Sequence, residues 1–390
     1  MNSKFAIVGA GLIGRLLAVA LAQRGAHVDL FEIGGPEALE SPARIAAAML
    51  APLAESTITE NNVVNMGVYS LPRWKKIIGE LSTPVYFQQD GTLILWHHQD
   101  TSDAERFAAH LEKNCAANNL LSAPQNLDRI ALHSIEPNIA DRFTQGLYLP
   151  NEGQLDNRQL LAALLLELDI LKVNCHWHTS AEPEQLQITN GYRWVIDCRG
   201  LGAKAAWQSQ HELSDLSSLS TNLAQSNSLR GVRGEVIRLH APKVNLRRPT
   251  RLIHPRYPIY IAPKEHDIYV VGATEIESED LSEMSVRSAM ELLSAVYTVH
   301  SGFAEARILE MATQCRPTLK DNLPEIRVKK TINTSGLMMI NGLYRHGFMI
   351  SPAILDCALE LLENAESKTA LDLGLSIQRE PSLERLSACV

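Results

Sequence analysis

The sequence predicts an α/β fold with two parts. One is a Rossmann-like domain assembled from discontinuous segments, and the other carries a large antiparallel sheet. Three observations lead there. A strand, the turn Gly9-Ala10-Gly11-Leu12-Ile13-Gly14, a helix and a second strand follow one another at the start of the chain, which is one βαβ unit. Residues 229–275 change texture to short alternating runs, as antiparallel strands require. The chain then returns to an apolar strand, the turn Asn341-Gly342 and a last helix.

Phe5 to Val8 is apolar and reads as the first strand. Leu12 to Gln23 has helical spacing of apolar residues, with Gly25 as its C-terminal cap. His27 to Phe31 reads as the second strand and stops at Glu32. Residues 34–60 read as a loop and a short helix, and residues 64–81 as a helix. Tyr86 to Trp96 reads as strands around the turn Asp90-Gly91. Residues 102–117 and 157–169 read as helices, and Trp194 to Cys198 as a strand. Gly234 to Leu239, Pro258 to Ala262 and Ile268 to Val271 read as sheet strands, followed by a helix near 283–297. Met338 to Ile340 is a strand, and a helix runs from about Pro352 to Leu362. The last residues are polar and read as a tail. The expected domains are 1–82, 146–227 and 316–364 for the nucleotide, 83–145 and 228–315 for the substrate, and 365–390 as the tail.

The 390 residues, 45% hydrophobic and 21% charged, suffice for one or two cores. A net charge of -8 disfavours nucleic-acid partners, which need Lys and Arg to neutralise phosphates. No polybasic segment marks a membrane surface, and the apolar run Leu160 to Leu166 is too short to span one. The cysteines at 115, 175, 198, 315, 357 and 389 form no Cys-x-x-Cys pair, so no metal site is expected. They read as reduced thiols of a cytoplasmic protein.

Gly9 allows a tight turn, Gly11 lets a pyrophosphate approach the backbone, and Gly14 lets helix and strand pack closely. The helix N-terminus offers free N–H groups to phosphates. Glu32 stands where a carboxylate meets ribose hydroxyls and disfavours a 2′-phosphate. The pattern alone leaves FAD and NAD open.

Further segments resemble the D-amino-acid oxidase superfamily, and within it the bacterial glycine oxidase branch that works in thiamin biosynthesis. Residues 44–52 (Arg44-Ile45-Ala46-Ala47-Ala48-Met49-Leu50-Ala51-Pro52) resemble its flavin-contacting loop. Gly146-Leu147-Tyr148-Leu149-Pro150 and Glu152-Gly153-Gln154-Leu155-Asp156 are similar to its lead into a cofactor-domain helix. Val232-Arg233-Gly234-Glu235-Val236, Tyr260-Ile261-Ala262-Pro263 and Val271-Gly272-Ala273-Thr274 resemble its substrate-sheet strands. Arg316-Pro317 with Asp321-Asn322-Leu323-Pro324, and Asn341 to Gly347 with Ser351-Pro352, resemble its late motifs. The resemblance covers roughly residues 1–362. Three departures stand out. Thr318-Leu319-Lys320-Asp321-Asn322 replaces a glycine-rich run, Ala48 replaces a glycine, and Asp197-Cys198-Arg199-Gly200 replaces small residues.

The resemblance implies a non-covalent FAD cofactor and oxidative deamination of glycine or another small amino acid. The α-hydrogen would leave as hydride to flavin N5, giving an imine and then an oxo acid, with oxygen reduced to hydrogen peroxide. A D-amino-acid or sarcosine dehydrogenase using a non-oxygen acceptor, action on a carboxymethylaminomethyl-modified tRNA base, and a non-catalytic flavin-binding role stay open as alternatives, as does homo-oligomerisation. Arg316 is expected to grip the substrate carboxylate through paired hydrogen bonds. Tyr260 and Arg345 would help orient it. The expected cofactor contacts are Gly9, Gly11, Leu12, Ile13, Gly14, Glu32, Ile33, Arg44, Ala47, Ala48, Met49, Ala181 and Gly200. The late loop adds Gly342, Leu343, Tyr344, Arg345, His346, Gly347, Phe348 and Met349. Met49 reads equally as core packing. Arg247, Arg248, Arg251 and Arg256, with His254, read as a solvated sheet edge.

Overall fold

The structure is a computed structural model that describes residues 3–139, 141–189, 191–208, 228–254, 259–330 and 335–380. One sheet has seven strands in the order Ser376–Glu380, Glu325–Lys330, Gly336–Asn341, Trp194–Asp197, β1 (Lys4–Val8), β2 (His27–Phe31) and Asn174–His176. All pair in parallel except Glu325–Lys330 against Gly336–Asn341. Its central strands are apolar on both faces, as a covered parallel sheet demands, and Phe5, Ala6, Ile7 and Val8 are all buried. Helix α1 (Leu12–Gln23) covers one face with Leu16, Leu17 and Val19, and Gly25 ends it at φ +78°.

The second sheet has eight strands in the order Arg307–Thr318, Arg230–His240, Ile268–Gly272, Ile259–Pro263, Thr250–Ile253, Thr92–Trp96, Gly146–Leu149 and Gln125–Leu127. It is antiparallel apart from Thr250–Ile253 against Thr92–Trp96. Met49–Leu50, Gly153–Leu155 and Phe87–Gln88 form a third, small sheet. No helix of the described residues is long and apolar enough to cross a membrane.

The two strands expected around Asp90-Gly91 are present and enter different sheets. Gly91, at φ +79°, lies so close under the Tyr148 ring that a β-carbon would come within 2.3 Å of it, and the chain turns away there. Three expectations need correction. The helix expected from about Pro352 starts at Gly347 and runs to Glu363. Proline removes the N–H that would bond the Phe348 carbonyl, and the Trp74 indole donates to that oxygen instead, at 2.7 Å. The boundaries at 146 and 316 fall wrongly, because Gly146–Leu149 and Arg316 to Thr318 belong to the eight-stranded sheet. Finally, residues 365–380 are not a tail. Helix Lys368–Leu373 leads into Ser376–Glu380, which pairs with Glu325–Lys330; residues 381–390 lie outside the described set.

Candidate active site

A single cavity of ≈ 1770 Å³ runs from the β1–α1 turn to the face of the eight-stranded sheet. A pocket for one small ligand occupies roughly 300–1,000 Å³, so this one has room for a dinucleotide and a substrate together. It opens at the carboxyl ends of the parallel strands, where such folds bind ligands.

At the nucleotide end the glycines are sterically required. A β-carbon on Gly14 would lie 1.9 Å from the Gly9 carbonyl, and one on Gly9 would meet the Cys198 carbonyl at 2.6 Å. The N-terminus of α1 carries no side-chain cap, leaving its first N–H groups for an anion. Glu32 accepts hydrogen bonds from the Ala10 N–H at 2.5 Å and the Gly34 N–H at 2.9 Å, which fixes its carboxylate at the cavity wall. Arg15, buried in α1, donates to the carbonyls of Ala10, Leu161 and Pro36 and ties the turn to its surroundings.

Of the expected cofactor contacts, Gly9, Gly11, Leu12, Ile13, Glu32, Ile33, Ala47, Ala48, Met49, Ala181 and Gly200 line this cavity, as does the run from Leu343 to Met349. Three do not. Gly14 and Gly342 sit behind it, where Gly342 at φ +77° packs on the Leu323 carbonyl. Arg44 turns back to the Glu37 carbonyl at 3.3 Å. Ala48 is buried and holds φ +51°, the left-handed conformation that a glycine adopts freely.

At the other end, Arg316, Tyr260 and Arg345 all line the cavity. Arg316 donates to the carbonyls of Thr274, at 3.2 and 3.3 Å, and Arg233, at 3.3 Å. Among the described residues it has no carboxylate partner. Burial raises the Tyr260 phenol's pKa although Arg316, Arg345 and Arg251 pull the other way. Arg345 bridges two carboxylates, Glu55 at 3.1 Å and Glu275 at 2.8 Å.

Glu55 was not legible from the sequence. It is buried, yet its carboxyl is held well below the usual range: desolvation opposes the charge, but Arg345 and Arg251 outweigh it. Arg251 bonds it directly, and His346 Nδ1 lies 3.5 Å away. Burial lowers the His346 pKa to about 4, leaving the ring neutral near pH 7. The expected solvated edge is therefore corrected. Arg251 serves this buried network, and Arg248 pairs with buried Glu136 at 3.3 Å. His254 lines the cavity, and Arg256 lies outside the described residues.

Lys264 and Glu275 were missed as well. Lys264 is buried behind the Ala46–Met49 loop and donates to Ala47 O at 2.8 Å, Leu155 O at 2.7 Å and Gln154 Oε1 at 3.0 Å. Burial pulls its pKa down to about 7, while three oxygen acceptors use every hydrogen of an ammonium. Its only sequence cue was a lysine closing an apolar strand. Glu275 directly follows the Val271–Thr274 motif, a cue of position alone.

A phosphate-ready turn, an acid at the end of β2 and a charged recess on one continuous cavity define a dinucleotide-dependent enzyme. The sequence model of the FAD-dependent oxidoreductase (DAO) family matches residues 4–358. A putative thiamine biosynthesis oxidoreductase ThiO from Rhizobium etli is 33% identical over 347 residues, 89% of this chain and 92% of that protein. A glycine oxidase from Geobacillus kaustophilus is 25% identical over 95% of this chain and 94% of its own. The crystal structure of glycine oxidase from Bacillus cereus shares the fold, with a TM-score of 0.74 at 19% identity over 95% of this chain and 98% of that one. The chain belongs to the FAD-dependent oxidoreductase family, and its cofactor is FAD.

Proposed function

We propose that the protein oxidises the Cα–N bond of glycine or another small amino acid, releasing an imine that water converts to an oxo acid and ammonia. Arg316 carries this reading: its guanidinium is held by two carbonyls, forms no ion pair with a carboxylate among the described residues, and is presented to the cavity. A guanidinium so placed grips a carboxylate and orients the α-carbon. The names of the ThiO and glycine oxidase relatives support the substrate class.

Bound FAD supplies the two-electron acceptor, with oxygen as the final acceptor giving hydrogen peroxide. The β1–α1 turn and Glu32 would hold its ADP half, and residues 45–49 and 343–349 would enclose its ring system. The seven-stranded sheet thus carries the cofactor and the eight-stranded sheet the substrate. Tyr260 shapes the recess beside Arg316, and Glu55 keeps Arg345 and Arg251 in place. The recess needs no acid–base pair of its own for this chemistry.

The test is anaerobic bleaching of the flavin across glycine, sarcosine and D-alanine, with oxygen uptake measured in parallel. Arg316→Ala is expected to keep FAD and lose most turnover, since one partner of a buried ion pair is worth roughly 2–5 kcal/mol. Near-normal kinetics in that variant would overturn the assignment. Release of the yellow colour on acid precipitation checks that FAD is held without a covalent bond.

A further inference from the structure

The recess holds two carboxylates of different character. Glu55 is enclosed, its side chain 8% exposed and shared among Arg251, Arg345 and His346. Glu275 is 48% exposed and lines the cavity. Arg345 Nη1 holds its Oε2 at 2.8 Å, and Tyr344 lies against the same carboxylate. These contacts orient the group without filling it, because an ionised carboxylate offers about four acceptor positions. Its neighbour in the chain, Thr274, gives its carbonyl to Arg316. Arg316, a fixed cation, and Glu275, a partly open anion, therefore line the same cavity and are tied through the Thr274 carbonyl.

We propose that Glu275 receives the amino group of the substrate whose carboxylate Arg316 holds, an inference that rests on the amino-acid reading above. An α-amino acid carries its ammonium and its carboxylate on a single carbon, matching this arrangement of opposite charges. A 2-hydroxy acid presents the same carboxylate but only a neutral hydroxyl, and it forfeits the charge-assisted contact. Glu275 is thus the residue that separates amino acids from hydroxy acids of equal size. Arg345 and Tyr344 act through it, as positioning residues.

The experiment uses the FAD-loaded protein and two ligands without an α-hydrogen, 2-aminoisobutyrate and 2-hydroxyisobutyrate. Both can occupy the recess and neither can be oxidised, so dissociation constants come from the shift of the flavin absorbance. The native protein is expected to bind the amino acid roughly 10- to 100-fold more tightly, the worth of one hydrogen bond to a charged group. Glu275→Gln is expected to erase that gap by weakening the amino acid alone. Equal weakening of both ligands, or an unchanged gap, overturns the assignment of Glu275 and leaves the amino-acid reading standing. Failure of the native protein to bind either ligand overturns both. Should Glu275→Gln not retain FAD, Glu275→Ala and Glu275→Asp are read in its place: the gap must vanish in the first and persist in part in the second, and any other pattern overturns the assignment.

Discussion

The guanidinium of Arg316 lies directly over Gly234, where a β-carbon would fall 2.4 Å from its Cζ. Gly234 is on the neighbouring strand Arg230–His240, so the absence of one side chain creates the berth for another. Gly234→Ala is expected to displace Arg316 and weaken carboxylate binding by about 1–3 kcal/mol, while the distant nucleotide end still takes FAD. Titration of the loaded protein with a carboxylate ligand checks this; unchanged affinity would show that Arg316 does not bind there.

Ala48 predicts a gain rather than a loss. An L-residue at φ +51° costs roughly 1–2 kcal/mol relative to glycine. Ala48→Gly is expected to stabilise the protein by about 1 kcal/mol, offset in part by the entropy of a freer unfolded chain. The melting temperature should rise by roughly 1–2 °C. A fall in melting temperature counts against strain at this position.

Glu152 gives a pH dependence. It is 1% exposed and accepts a hydrogen bond from the Ala54 N–H at 2.8 Å. Burial pushes its carboxyl up to about 7. The folded state then holds a proton that the unfolded chain releases near the ordinary carboxylate value of about 4.3. The stability this confers is complete below that value and is lost as the pH rises toward 7, over a range worth on the order of 3 kcal/mol. Glu152→Gln is expected to flatten this part of the denaturation profile between pH 4 and 7. Identical slopes in the two proteins would show that Glu152 ionises as freely when folded.

Trp74 supports the proline inside helix Gly347–Glu363. It is fully buried and supplies the donor that Pro352 withholds from the Phe348 carbonyl. Trp74→Phe leaves that oxygen unsatisfied and is expected to cost about 1–3 kcal/mol in urea denaturation. A loss near zero would mean that water reaches the carbonyl.

The β1–α1–β2 unit could be read from the sequence because its cues are local: an apolar strand, spaced glycines and one amphipathic helix. The edge strand Arg307–Thr318 could not. It is largely exposed along its first half, so its side chains do not alternate, and its partner lies about eighty residues upstream. The two poles of the site divided in the same way. The motif around Arg316 marked that residue, whereas Glu55 meets Arg251 across 196 positions and each looks alone like a surface charge. Pro352 misled for the opposite reason. A local helix breaker was overruled by a tryptophan from a different helix.

The order of strands in the seven-stranded sheet bears on how the protein is made. β1 lies between β2 and Trp194–Asp197, and Gly336–Asn341 must join before the loop at residues 343–349 can enclose a ligand. Synthesis therefore delivers the β1–α1 turn first and the cavity wall at residues 343–349 after more than three hundred further residues. A growing chain thus carries an unfinished cavity for most of its time on the ribosome, and the wall at residues 343–349 is added late.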